Sequence, residues 1–557
     1  MSESHETQES SGGRHLWWWL IPLVLGCVSV LTIQVPPMLD WPLHLSQGVL
    51  LAQVNDPSIV PSQTYCVAPF APYHLFHYTV RVLAVVVPAA WISQVTLLVL
   101  LLLYVASIAL LLKAYRADIR LLMLAPPTFF GYSYIMGFAP NLLGLPFALA
   151  SLGFAEYWWR TRSAKWAVGM TASLLLCYLC HPIPFFLALG CVGLRFLVDG
   201  RRSFRFLLHA GAWLLLPIAA AVQFLLYHKK LGVHQQQWFT AIYPNWSQNN
   251  QFGDSVFLRL KLLPSYVLGT EHLEVSLVLV SSLILLALVG LIFLPRWQTD
   301  ESEEPTETSE ESEEVDESKE STEQETDKPA FLEHVSLGTL VSIGVLWLGY
   351  LFLPDAFMKG NNVYARLIQF AVVFSLVLVP LVTSTTAQRL FLVMSLCACT
   401  FLGINWMYQY EWDRHFDNFH TVVKKLPKGS RYIGLLSQFK SAATLAQVYR
   451  GGEARYSFTH FFHMPLRDCN PKAQQATYDL RSSPWKFSPT KHGRLAPYIL
   501  LYLEPNVRRN RSTFPWLFRK HPYRLVIKKG RWTLWKHHYL TMPTTKKPAT
   551  PTPKRPQ

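Results

Sequence analysis

Apolar residues in this chain run in blocks of about twenty instead of alternating along strands or soluble helices. The blocks cover about 16–35, 91–112, 119–136, 138–158, 166–180, 183–199, 205–227, 273–295, 332–354, 365–382 and 388–408. A hydrocarbon layer about 30 Å thick takes roughly 20 residues of helix, so each block is long enough, or nearly so, to cross it. The pattern predicts eleven transmembrane helices. Trp17, Trp18 and Trp19 open the first at interface depth, and no small-residue cleavage site precedes Pro36-Pro37, which favours an uncleaved anchor over a secretory signal.

Other stretches break the pattern. Residues 36–75 are rich in proline and polar groups, and predict an aqueous loop with short surface helices; 73–87 is half apolar, interrupted by His74, His77 and Arg81, and reads as an interfacial or re-entrant helix ending at Pro88. Beyond 408 the apolar runs shorten to strand length, as in Arg431-Tyr-Ile-Gly-Leu-Leu, Tyr498-Ile-Leu-Leu-Tyr-Leu and Tyr523-Arg-Leu-Val-Ile, with Gly451-Gly452 and Pro505-Asn506 between them. The organisation expected is a disordered cytoplasmic N-terminus (1–15), a first membrane part (16–298, with its outer loop at 36–90) and a cytoplasmic acidic linker (299–330). A second membrane part (331–408), a small extracytoplasmic α/β domain (409–540) and a disordered Pro/Thr/Lys tail (541–557) follow.

Charge sets the orientation. Fifteen of the 35 acidic residues lie between Asp300 and Asp327; without that tract and its two lysines, 48 basic face 20 acidic residues, or +28. Most of that excess flanks the spans. Lys113, Arg116, Arg120, Arg160, Arg162, Lys165, Arg201, Arg202, Arg205, Arg296 and Arg389 all fall on one side if the N-terminus is cytoplasmic, while Lys229, Lys230, Lys359 and Arg366 fall on the other. The basic excess therefore points to anionic lipid head groups and topology control. Zinc-finger, RRM and KH patterns are missing, which argues against nucleic acid. The acidic linker is a solvated segment with room for a protein partner.

Candidate chemistry lies on the outer side. Asp40 sits just past the first span, before Trp41-Pro42-Leu43-His44. As the first residue of a helix it would be a cap; at the lipid–water boundary, with His44 one turn on, it can also take a proton from a hydroxyl or help hold a divalent ion. His74, His77 and His181 lie near the same face. Arg366, after Lys359-Gly-Asn-Asn-Val-Tyr-Ala, opens the tenth span, where a guanidinium either snorkels to head groups or meets an anion such as a lipid phosphate. Cys177-x-x-Cys180 and Cys397-x-Cys399 lie inside apolar spans and read as packing; Cys66 and Cys469 fall in the oxidising compartment and are candidates for a disulfide. His460-Phe-Phe-His463 lacks a third nearby ligand, and Asn245-Trp-Ser247 and Asn510-Arg-Ser512 fit the glycosylation pattern.

Several phrases, taken in order, resemble the GT-C type membrane glycosyltransferases, in particular uncharacterised bacterial members of that superfamily. They are Asp40-x-Pro42-x-His44 after the first span, Tyr134-Ile-Met-Gly-Phe138 through Asn141-Leu-Leu-Gly144, His181-Pro182, and Arg366. Leu426-Pro-Lys-Gly-Ser-Arg431, Pro497-Tyr-Ile-Leu-Leu-Tyr502 and Gly530-Arg-Trp-Thr-Leu534 continue the likeness. The resemblance implies an enzyme that takes sugar from a polyprenyl-phosphate carrier at the outer face, with Asp40 as base or metal partner, assisted by His44. Arg366, Lys359, His181, His74 and His77 are then the donor-binding set. Many such enzymes pair two acids in this loop, whereas Asp40 is followed by Trp41 and the next acid is Asp56. A divalent cofactor therefore stays open, as does a non-catalytic assembly role in an envelope pathway. A transporter, the less favoured alternative, would require ionisable groups at mid-span, and these blocks are nearly free of them away from their ends.

Overall fold

A computed structural model describes residues 18–60, 65–67, 72–200, 203–242, 256–268, 281–291, 335–353, 363–381, 385–435, 442–454, 466–468, 496–503 and 523–538. The acidic linker, the N-terminus, the tail, Lys359, His460, His463 and Cys469 lie outside them. The chain divides into two compact units, one of residues 1–32 and 97–408 and one of residues 33–96 and 409–557.

Helices dominate the first unit. In chain order they include α1 (Ile21–Thr32), α4 (Ile92–Ala114, which enters this unit at Leu97), α5 (Ala125–Phe129), α6 (Tyr132–Ile135), α7 (Ala139–Thr161), α8 (Ala164–Cys180), α9 (Pro182–Gly200), α10 (Phe204–Ile242) and α11 (Val256–Leu268). After these come α12 (Ser281–Leu291), α13 (Leu337–Phe352), α14 (Val363–Ser375) and α15 (Thr385–Arg414, leaving this unit after Tyr408). Among the described residues four helices are long and apolar enough to cross a membrane: α4, α9, the Phe204–Leu226 part of α10, and the helix that starts at Thr385.

The block at 119–136 is not one span. It breaks into a 3-10 turn (Ile119–Leu124), α5 and α6. Pro126 and Pro127 fill the first turn of α5, where their missing N–H groups cost nothing, but the same rings prevent the preceding turn from running on as an α-helix. Gly131 and Gly137 break the chain again: a side chain at Gly131 would lie 2.4 Å from the Val267 carbonyl oxygen, and Gly137 holds φ 71°.

Ion pairs lock the far end of this helical unit. Glu156 on α7 and Asp199 on α9 both receive the Arg195 guanidinium, which is 4% exposed, and Arg160 closes on Glu156 at 2.7 Å. The other Asp199 oxygen accepts the Gly338 N–H (2.8 Å) at the first turn of α13, so a carboxylate sits against a helix N-terminus where the backbone dipole favours it. The network joins α7, α9 and α13, the last of these lying beyond the acidic linker.

The second unit joins residues 33–96 to the C-terminal portion. Its helices are α2 (Trp41–Gln53), α3 (His74–Val86), α16 (Phe419–Val423) and α17 (Leu445–Arg450). Its strands are β1 (Tyr65–Val67), β2 (Arg431–Leu435), β3 (Glu453–Ala454), β4 (Leu466–Asp468), β5 (Tyr498–Tyr502), β6 (Tyr523–Lys529) and β7 (Trp532–His537). β1 pairs antiparallel with β4, and the other five form one mixed sheet in the order β3-β2-β5-β7-β6. β2 lies parallel to β3 and β5; β7 runs antiparallel to β5 and β6, with a bulge at Val526. β5 is buried along its whole length and β2 at all but its first residue, which is why both read as unbroken apolar runs.

α2 corrects the expectation of a surface helix in the 36–75 loop. Eleven of its 13 residues are buried, packed on α3 and α17. Its sequence carries apolar groups on all sides, with only Gln47 and Gln53 as long polar side chains among His44 and Ser46, so there is no face that water could claim. α3 falls where the interfacial helix was expected. One face (His74, Phe76, His77, Val80) is buried and the other exposes Val82, Val85 and Val86.

Candidate functional site

Within the helical unit, three separate sequence phrases converge. The turn between α6 and α7 is fixed by the Asn141 amide, which donates to Ser133 Oγ at 3.0 Å, and it ends on Phe138. Gly144, one turn into α7, permits close passage of the α8–α9 joint: a side chain there would meet Pro184 at 2.8 Å and His181 Cβ at 3.6 Å. His181 is that joint, 4% exposed and preceding α9. Arg366 on α14 lays its guanidinium carbon 3.6 Å from the centre of the Phe138 ring and brings Nη1 to 3.1 Å from His181 Nε2. One turn along, Gln369 is fully buried and donates to the Thr128 carbonyl at 2.7 Å, which fixes the rotation of α14 and hence the aim of Arg366.

The protonation of His181 follows from its neighbours. The Ile183 N–H donates to His181 Nδ1 at 3.1 Å, so Nδ1 holds the lone pair and Nε2 bears the hydrogen. Arg366 Nη1 is a donor as well. Two donors therefore face each other at 3.1 Å, an arrangement that favours an acceptor oxygen shared between them.

The second unit holds the other candidates. Asp40 stands at the first position before α2 with φ −99° and ψ −5°, half-buried, and its side chain makes no hydrogen bond to the helix start. The cap reading of this carboxylate is thus not what the structure displays. His44, 6% exposed, places Nδ1 3.1 Å from Nε2 of the fully buried His77, and His77 Nδ1 lies 2.9 Å from the Tyr73 carbonyl oxygen. Trp41 donates through its indole N–H to Ser93 Oγ (3.0 Å) and packs edge-on against Phe76, which pins the start of α2 to α3. His74 is fully buried and lies beside the Tyr78 ring.

Sequence reasoning placed His74 and His77 with the donor-binding residues; the structure brings His77 to His44 in this unit. Cys66 is disulfide-bonded, whereas Cys27, Cys177, Cys180, Cys191, Cys397 and Cys399 are free thiols. Among the described residues no three His, Cys, Asp or Glu side chains gather as a metal site. Phe138, Ser133, Asn141 and Gln369 were absent from the candidate set. Gln369 had a legible signal, an amide three residues beyond Arg366 in an apolar run.

Apolar spanning helices and a small mixed sheet define an integral membrane protein of predominantly helical fold. No protein-family model and no curated protein matches the chain. Among solved structures, its fold is similar to that of ArnT from Cupriavidus metallidurans bound to undecaprenyl phosphate, with a TM-score of 0.53 and 11% identity over 93% of this chain and 97% of that one. The same protein in the apo state matches with a TM-score of 0.53 and 11% identity over 93% and 96%. The likeness is one of fold alone.

Proposed function

We propose that this protein is a membrane glycosyltransferase that takes a sugar from a polyprenyl-phosphate carrier and passes it to an acceptor hydroxyl at the outer face of a bacterial inner membrane, with the N-terminus cytoplasmic. The observation that carries this reading is the meeting of Arg366 Nη1–H and His181 Nε2–H at 3.1 Å, two donors that one phosphate oxygen satisfies together. The similar fold of ArnT, solved with undecaprenyl phosphate, supports a phosphate-headed lipid as the anion.

The chemistry has two needs. As the acceptor oxygen attacks the anomeric carbon, the sugar–phosphate bond breaks with its electron pair on the phosphate, and the hydroxyl loses a proton. Arg366 and His181 answer the first by stabilising the phosphate. Asp40, half-buried at the start of α2, is assigned the proton. Anionic lipids flank the spans, and Lys359 and a Cys66–Cys469 bridge, both resting on residues outside the described set, remain parts of the same proposal.

Binding tests it. Purified full-length protein in nanodiscs should bind undecaprenyl phosphate and ignore undecaprenol, and Arg366→Ala or His181→Ala should each weaken binding by about 10- to 100-fold, the worth of one charge-assisted hydrogen bond. Equal binding of the neutral lipid, or unchanged affinity in both variants, removes the pair from this role and leaves a non-catalytic assembly protein as the better description.

A further inference from the structure

Two hydrogen bonds of His77 point to one assignment. A carbonyl oxygen only accepts, so His77 Nδ1, 2.9 Å from the Tyr73 oxygen, must carry a hydrogen. His77 is fully buried, and a charge there is costly, which favours the neutral ring with its lone pair on Nε2. His44 Nδ1 is then the donor across the 3.1 Å contact, and the lone pair of neutral His44 falls on Nε2. The backbone supports the chain's far end: Tyr73 holds φ 74°, a left-handed conformation that is costly for a non-glycine residue, and the following helix carries His77 one turn on. Gly48 keeps the two helices close, since its missing side chain leaves room for Val80 and the His77 carbonyl.

We infer that His77 is a positioning residue that fixes His44 in the Nδ1–H tautomer, so that His44 Nε2 is a neutral proton acceptor one helical turn from Asp40. The backbone N–H of His44 donates to the backbone carbonyl oxygen of Asp40 at 3.1 Å, which sets the two residues one turn apart at the start of α2. In the transfer reaction proposed above, on which this consequence rests, the step is a single proton movement. The proton that Asp40 has taken from the acceptor hydroxyl passes to His44 Nε2; the carboxylate is ionised again, the imidazole becomes imidazolium, and no other bond forms or breaks. His77 and the Tyr73 carbonyl steady that cation through the two hydrogen bonds already in place.

Histidine 15N NMR on the full-length protein in nanodiscs reads the tautomer without any turnover. The His44 ring, assigned by loss of its signals in His44→Gln, should show a hydrogen-free Nε2 in wild type. In His77→Phe both tautomers should populate, and His77→Gln, whose amide can accept from His44 and donate onward, should restore the single form. A protonated Nε2 in wild type, or an unchanged His44 ring in His77→Phe, overturns the inference. In the transfer assay His77→Phe should lower kcat by about tenfold or more with KM unchanged, and His77→Gln should recover it. Absence of transfer by wild type with the tautomer as stated sinks the enzyme reading and leaves the positioning of His44 intact; if His77→Phe does not fold, the wild-type and His77→Gln spectra decide alone.

Discussion

Gly48→Ala puts the packing of α2 on α3 under direct strain. The added methyl would lie 2.4 Å from Val80 Cβ, 2.5 Å from its Cγ1 and 3.0 Å from the His77 carbonyl oxygen. Ordinary contact begins at 3.4 Å, so the helices must part by about 1 Å, and the nearest obstacle is a branched Cβ, which no rotamer can move. Overpacking of this kind costs about 1–3 kcal/mol. The same opening carries the His44–His77 contact from 3.1 Å beyond hydrogen-bond range, forfeiting about 0.5–1.5 kcal/mol more. A loss of about 1.5–4.5 kcal/mol is a large part of the roughly 5–15 kcal/mol that holds a domain together. Pulse proteolysis in urea, with fragments mapped to residues 33–96 and 409–557, should find a lower midpoint with an unchanged slope, and the His44 ring should lose its single tautomer. Resistance equal to wild type would mean that α2 and α3 are not as close as described, and the reasoning about His77 would fall with it.

Arg195→Met should destabilise the helical unit by about 3 kcal/mol, because it removes the cation that the buried Glu156 and Asp199 carboxylates share and leaves only Arg160 on the one and the Gly338 N–H on the other; thermal unfolding in detergent should show Glu156→Gln/Arg195→Met partly recovered, and equal loss in single and double variants would contradict the network. Asp40→Asn should cut transfer by at least about 10² with the fold unchanged, whereas near-normal turnover would return the residue to a helix-start role. In the sheet, burial raises the Tyr432 and Tyr523 phenols above their ordinary 10.0, while each donates to a backbone carbonyl. A raised folded value means that their contribution is fully present below pH 10 and lost as pH climbs toward the folded values. Phenolate absorbance should therefore rise together with loss of β-sheet signal, and ionisation of these residues in an intact sheet would refute it.

Helix positions were the most legible feature, because a membrane imposes a length on apolar runs that nothing else in the sequence imitates: 91–112, 183–199 and 388–408 appear as α4, α9 and α15 within a few residues at most ends, with α15 running on to Arg414. The 119–136 block failed because composition registers apolarity but not the interruption by Pro126-Pro127 and two glycines. α2 was misjudged for a related reason, since its prolines and polar neighbours suggested a loop while its burial depends on residues four hundred positions away in α17. For the candidate sites, residue types were readable and partners were not. Arg366 and His181 are separated by 185 positions, and only folding reveals that Ile183 sets which nitrogen of His181 meets the guanidinium. His77 looked like an interruption in an apolar helix; its contact with His44, 33 residues earlier, is what makes it informative.

The central claim is that a sugar leaves a polyprenyl-phosphate carrier on this protein. Purified full-length protein in nanodiscs, given a polyprenyl-phosphate sugar radiolabelled in the sugar together with an extract of membrane acceptors, tests it most directly. Label should move to acceptor in wild type, with free polyprenyl phosphate released in equal amount, and both should be lost in Arg366→Ala. Intact donor after prolonged incubation with protein that binds it, across the acceptor fractions and with or without divalent ions, would contradict the claim.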